Sequence, residues 1–184
     1  VEGARSMLER TSKSVKRLQE MTDSLLQLSR LNGAVTADTL DMTLLCQEIA
    51  QSLEPDAEAN QVSIAVEPLP AVAASHARMH SVIQNLLSNA VTHAGEGAEV
   101  RVSACEGDGV ARIRVEDNGL GVDETDEPDQ LFAMFVRGRN AERRSGSGLG
   151  LAICQRAVES WGGEIAMTSE PGKGTHIEFT VPLA

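Results

Sequence analysis

The sequence predicts an α+β fold: a two-layer α/β sandwich with a mixed, mostly antiparallel sheet and an N-terminal helical arm. Three observations carry this reading. Segments of helical periodicity are clustered around strands that come largely in turn-linked pairs, which is the pattern of helices packed on a hairpin-rich sheet. A stretch of helix formers stands apart at the N-terminus, closed by Asn32-Gly33. The chain has 184 residues, 41% of them apolar. That is enough for one core and a short appendage, since domains usually run to about 100–150 residues.

Taken in order, residues from about 4 to 31 form helix, with Met7, Leu18, Met21, Leu25 and Leu28 on three- and four-residue steps that make a heptad-like seam. A lone helix with one apolar stripe must bury it, either on its own domain or on a partner helix, and both readings stand open. Asp38 to Asp41 leads into a second region, which places the domain boundary near 34–38. A helix is expected at 43–58, a strand at 62–67 and a helix at 76–93. Strands at 98–105 and 110–117 turn through Gly107-Asp108-Gly109. A polar, Gly-rich and charged stretch fills 119–147 and feeds a helix at 148–160. Two strands near 163–169 and 175–181 close the chain, joined by Pro171-Gly172-Lys173-Gly174.

Composition narrows the function. A formal charge of −11 repels phosphate backbones, so no nucleic-acid partner is expected without a basic patch, and none is visible. Cys46, Cys105 and Cys154 are far apart and form no CxxC pair, so they read as buried small residues in a reducing compartment rather than disulfides or zinc ligands. No apolar run approaches the roughly 20 residues of a membrane helix, and no signal peptide is expected. The chain opens at Val1 inside a helical pattern, as a piece of a longer protein would.

Four segments carry chemistry. In the helix 76–93, Asn85, Asn89 and His93 recur every four residues and line up beside the apolar stripe of Ile83, Leu86, Leu87 and Ala90. They read either as solvated amides or as oxygens for Mg²⁺ with donors for phosphate. Asp117-Asn118-Gly119-Leu120-Gly121 follows an alternating strand; it is an ordinary turn, or it offers a strand-end carboxylate to the amino group of a base. Ser145-Gly146-Ser147-Gly148-Leu149-Gly150-Leu151 runs into an apolar helix, as a flexible linker or as an anion cradle at a helix N-terminus. It is neither a Walker loop nor a dinucleotide fingerprint. Gly172-x-Gly174-Thr175 alone is a hairpin turn.

Order and spacing together are specific. With Phe132-x-x-Phe135-x-Arg137 between the second and third, these segments make five elements in sequence. The region from about 38 to 184 resembles the catalytic, ATP-binding domain of sensor histidine kinases, within the wider group that includes gyrase, Hsp90 and MutL. Ser81–Ala94 resembles that family's N box, 117–121 and 145–151 its G1 and G2 boxes, Phe132–Arg137 its F box and 172–175 a further Gly box. The first 33 residues, with Leu25-Leu26-Gln27-Leu28-Ser29-Arg30-Leu31, are similar to the second helix of the dimerisation and histidine-phosphotransfer module.

The resemblance implies ATP and Mg²⁺ as cofactors. By it, Asp117 bonds the adenine amino group, Asn89 coordinates Mg²⁺ with Asn85 beside it, and His93 reaches phosphate. Gly146, Gly148, Leu149 and Gly150 cradle the phosphate chain, and Gly119, Gly121 and Thr175 complete the nucleotide site. The stretch 122–147 becomes the ATP lid, where Arg137 is the catalytic charge, with Arg139, Arg143 and Arg144 nearby. The γ-phosphate passes to a histidine of the dimerisation module and on to a response-regulator Asp. His76, His80, His93 and His176 are the chain's histidines, and none lies in an H-box setting, so the acceptor is expected elsewhere. The implied partners are the dimerisation helix of the same protein, as a homodimer, and a response regulator. The implied place is the cytoplasm, under an inner-membrane parent. Ser81 stands where relatives that hydrolyse ATP carry a Glu base, which argues against a gyrase-like or Hsp90-like ATPase. Thr92 replaces a basic residue, and Ala133-Met134 stands where Glu-Pro is frequent. They leave open a degenerate module that regulates another kinase by contact.

Overall fold

The computed structural model describes residues 7, 11, 14–15, 18–19, 21–26, 37–123, 125–136 and 147–184. In chain order the elements are β1 (Asp38–Asp41), α1 (Met42–Ser52), α2 (Glu54–Ala59), β2 (Ser63–Val66), β3 (Ala71–Ala74) and α3 (His76–His93). They continue with β4 (Glu99–Gly107), β5 (Val110–Asp117), a 3₁₀ turn (Pro128–Phe132), α4 (Gly150–Glu159), β6 (Ile165–Glu170) and β7 (Gly174–Pro182). A five-stranded sheet runs β2-β4-β5-β7-β6; β2 and β4 are parallel and the other pairs antiparallel. This is the expected mixed, mostly antiparallel sheet of a two-layer sandwich.

The strand alternation decides which face is covered. Val100 and Val102 of β4, Ala111, Ile113 and Val115 of β5, and Ile177, Phe179 and Val181 of β7 are buried. They share one core with Met42 and Ile49 of α1, Ile83, Leu86 and Leu87 of α3, and Ile153 and Val158 of α4. The intervening residues face outward, where Arg112 and Arg114 both donate to the Glu178 carboxylate, at 3.0 and 2.8 Å. Asp108 (φ 52°) and Gly109 (φ 78°) form the tight two-residue turn between β4 and β5, both left-handed as such a hairpin requires.

Three expectations are corrected. The helix read at 43–58 is two helices: the Leu53 N–H closes α1 on the carbonyls of Ile49 and Ala50, and Pro55, which has no N–H to continue the ladder, sits in the first turn of α2. Asp38–Asp41, read as a lead-in, is a strand paired antiparallel with Ala71–Ala74, which was not expected as a strand at all. Four residues are too few to display a period, although Leu40, Val72 and Ala74 are buried. Asp41 ends this ribbon and caps α1, its Oδ1 accepting from the Leu44 N–H at 3.0 Å. Finally, Cys46 and Cys154 are buried free thiols as expected, but Cys105 is exposed on the outer face of the sheet. Burial pushes the Cys46 thiol up to about 12, which leaves it inert.

The described residues of the N-terminal arm are helical, with the Thr11 and Thr22 hydroxyls donating to carbonyls one turn back. Met7, Leu18 and Leu25 of the seam are exposed, 72%, 63% and 49%, so the chain's own domain does not bury them. Leu28 and the Asn32-Gly33 helix end lie outside the described residues. Among the described residues no helix is long and apolar enough to cross a membrane.

Candidate functional site

A cleft of about 940 Å³ opens between α3, the end of the β5–β7–β6 ladder and the N-terminus of α4. Its volume is that of a site for a nucleotide-sized ligand. One wall is the polar line of α3. Asn85, Asn89 and His93 are half-buried and line the cleft, while Leu86, Leu87 and Ala90 on the adjoining stripe anchor the helix in the core. The Asn85 Nδ2 donates to the Ser81 carbonyl at 2.8 Å, which fixes the rotamer and turns Oδ1 toward α4. A Cβ at Gly150 would stand 3.0 Å from that Oδ1 and 3.7 Å from the Asn89 Nδ2. Glycine there keeps the N-terminus of α4 open to both amides.

The floor comes from the sheet register. Val115 of β5 is level with Ile177 of β7, which is level with Met167 of β6, and this apolar row lines the cleft. Two residues along on the same face lies a polar row, Asp117 level with Thr175 and Thr175 level with Ser169. Asp117 accepts from the Gly119 N–H at 2.9 Å and from the Thr175 backbone N–H. Burial pushes its carboxyl above the usual carboxylate range, and these two hydrogen bonds only partly restrain it. The carboxyl oxygens stand beside an apolar floor suited to a flat ring.

The glycines that shape this end differ in their work. Gly121 lines the cleft at φ +67°, and a Cβ on it would meet the Glu170 carbonyl oxygen at 2.2 Å. Gly119 does not line the cleft; a Cβ there would strike the Ala94 carbonyl oxygen at 2.1 Å, so it allows the loop to close on the end of α3. Gly172 ties the far hairpin to this loop, its N–H donating to the Leu120 carbonyl at 2.8 Å.

At the phosphate-sized end, Ser147, Gly148 and Gly150 line the cleft and lead into α4. The Ser147 hydroxyl accepts from the Leu149 N–H at 3.3 Å. The Leu149 side chain is fully buried in the core, so only its backbone can face a ligand. Phe132 of the preceding segment is buried, whereas Phe135 is exposed and held at φ 65°, an uncommon conformation for an aromatic residue. Its N–H donates to the Gly148 carbonyl at 2.8 Å, clamping this segment to the glycine loop.

Of the expected site residues, Asn85, Asn89, His93, Asp117, Gly121, Gly148, Gly150 and Thr175 converge on one cleft; Gly119 and Leu149 stand behind its lining. Arg137 and Gly146 lie outside the described residues, as do Arg139, Arg143 and Arg144. Ser169 and Ser147 were not singled out. A polar residue continuing the inward alternation of Ile165 and Met167 is the signal that could have found Ser169.

The sequence pattern described as "Histidine kinase-, DNA gyrase B-, and HSP90-like ATPase" matches residues 74–184, which hold α3, the ladder and the glycine loop. The chain belongs to this family. Within it the chain is similar to sensor kinases. The alginate biosynthesis sensor protein KinB of Pseudomonas aeruginosa is 32% identical over 185 residues, covering 96% of this chain and 30% of that protein. The sensor protein IrlS of Burkholderia pseudomallei is 33% identical over 172 residues, covering 91% and 37%. The chain thus spans about a third of these curated relatives. Among solved structures, full-length ShkA in complex with AMPPNP superposes with a TM-score of 0.76 at 29% identity, covering 98% of this chain and 39% of that one.

Proposed function

We propose that this domain binds ATP with Mg²⁺ in the cleft and delivers the γ-phosphate to a histidine of a dimerisation module, for relay to a response-regulator Asp. The observation that carries the reading is the convergence of a strand-end carboxylate, the amide line of α3 and a glycine-fed helix N-terminus on one cleft. Asp117 accepts from the adenine amino group above the Val115–Ile177–Met167 floor. Asn89, with Asn85 beside it, offers amide oxygen to Mg²⁺, and His93 meets the phosphates, which lie along the 146–150 loop where backbone N–H groups and the helix dipole favour anions. Among the described residues no cluster of three or more His, Cys, Asp or Glu could hold a metal alone. The Asn89 amide oxygen, with Asn85 beside it, would hold Mg²⁺, a hard cation that takes oxygen ligands. Bound there, the ion would neutralise phosphate charge as the γ-phosphoryl departs. Arg137 supplies further positive charge from the lid, and positioning does the rest.

Residues 1–33 are read as the second helix of the dimerisation module, and 38–184 as the catalytic domain. The exposed seam supports a partner helix, in a homodimer of the parent, over packing on the chain's own domain. The module acts in the cytoplasm on behalf of an inner-membrane sensor. A relative solved with its response regulator, ThkA with TrrA, supports the partner class. The test is titration of a fluorescent ATP analogue with and without Mg²⁺. Binding should be Mg²⁺-stimulated, and Asn89→Ala should remove the stimulation while circular dichroism stays native. A wild-type chain that binds no nucleotide favours the degenerate regulator instead.

A further inference from the structure

Ser169 ties β6 to the loop after β5 and to the start of β7 at the base end of the cleft. Its Oγ accepts from the Val122 N–H at 2.9 Å, beyond the Asp117–Gly121 loop. It lies 2.9 Å from the Gly174 carbonyl and 3.0 Å from the Thr175 Oγ1. Proton counting then orders the network. A carbonyl can only accept, so the single Ser169 hydroxyl proton goes to Gly174. The contact with Thr175 must therefore carry the Thr175 proton to Ser169, whose oxygen is then saturated with two bonds accepted and one donated. Thr175 lines the cleft, and with its proton held by Ser169 its oxygen offers the cleft lone pairs alone.

The consequence concerns which base is read. Level with Thr175 is Asp117, an acceptor whose carboxylate is already held by two backbone N–H groups. We propose that Ser169 is a positioning residue for base selection: by holding the Thr175 proton it makes the strand-end row acceptor-only, so the site takes a base edge with an amino group and refuses one with a carbonyl. The proposal rests on the nucleotide reading above and assigns its specificity to the register of three strands rather than to Asp117 alone. An acceptor facing an acceptor leaves both unpaired, and a buried unpaired polar group is costly, so such a base is rejected.

Inosine triphosphate probes this effect, since it carries a carbonyl in place of the amino group of ATP, together with an N1–H where ATP has a lone pair. The measurement is the ratio of the two dissociation constants for this chain, with thermal melting as the fold control. Ser169→Ala releases the Thr175 proton to turn into the cleft, and the ATP-over-ITP preference should fall about tenfold, with ITP binding tighter than to the wild type. Ser169→Thr, which keeps the hydroxyl, should restore the preference. In a Thr175→Val background Ser169→Ala should no longer change the ratio, because the proton it steers is gone. Equal weakening of ATP and ITP by Ser169→Ala overturns the proposal and leaves Ser169 a structural tie; so does an unchanged ratio in a folded variant. A wild-type chain that binds neither nucleotide overturns the nucleotide reading itself and this proposal with it.

Discussion

Asp117 concentrates the chemistry of the base end in one side chain, and its protonation makes it testable. Burial raises its carboxyl above the ordinary value, so the folded chain takes up the proton at a higher pH than the unfolded chain does. The ionised group therefore costs stability above its raised folded value, and that cost is relieved as pH falls through it toward the unfolded value. Nucleotide binding should run the other way, because the protonated carboxyl no longer offers the base a charged acceptor. Affinity for ATP should decline from neutral toward mildly acidic pH in the wild type more than in Asp117→Asn. At neutral pH Asp117→Asn should lose about 1.5–3 kcal/mol of binding, roughly ten- to hundredfold, while melting no lower than the wild type. Fluorescent-analogue titration and calorimetric melting read the two quantities. Unchanged affinity together with an unchanged pH profile would move the base elsewhere.

At the scale of elements, the β6–β7 hairpin and the loop after β5 act as one clamp. A Cβ on Gly174, at φ +102°, would lie 1.8 Å from the Asp117 carbonyl oxygen, so only glycine lets the strands reach their register. Gly172, at φ +73°, has nothing within 4 Å of the same position. Gly174→Ala should therefore destabilise by about 2 kcal/mol or more and weaken nucleotide binding, while Gly172→Ala should cost about 1 kcal/mol of backbone strain and spare binding. Chemical denaturation with parallel titrations separates them, and equal effects would show that the close approach does not govern the site. Sequence reading was strong for such elements when they were long. The bounds of α3 agree at 76–93 because eighteen residues display the helical period several times. The β4–β5 hairpin was equally legible from Asp108-Gly109. β1 and β3 were missed because a four-residue ribbon is defined by its partner, and α1 and α2 were merged because Leu53 and Ala57 continue the apolar spacing across Pro55.

For the whole molecule, the reading predicts activity divided between partners. Incubated with γ-labelled ATP, the chain should label itself negligibly, yet it should transfer label to a separately supplied dimerisation module bearing the acceptor histidine. His76 is exposed at the start of α3; His80, one turn on, is exposed and borders the cleft on the same helix as the wall that would bind phosphate; and His176 lies between Glu116 and Glu178 on the outer face of the sheet, 3.8 Å from each, away from the cleft. His93 belongs to the wall that would bind phosphate and cannot also attack in line from the other side. Transfer should be slow, since separating the modules lowers their effective concentration. Acid-labile labelling of the chain alone would contradict this. By itself the sequence determined the sandwich, the long helix with its amide line and the order of the glycine segments, because periodicity, turn chemistry and spacing are local properties of the chain. Only the tertiary structure decided that Asp117, Thr175 and Ser169 form one polar row, since cross-strand register sets which residues stand level and is not written in any one segment. It also decided which glycines line the cleft and which merely let backbones pass, because that depends on atoms brought from 25 to 57 residues away, Ala94 against Gly119 and Asp117 against Gly174.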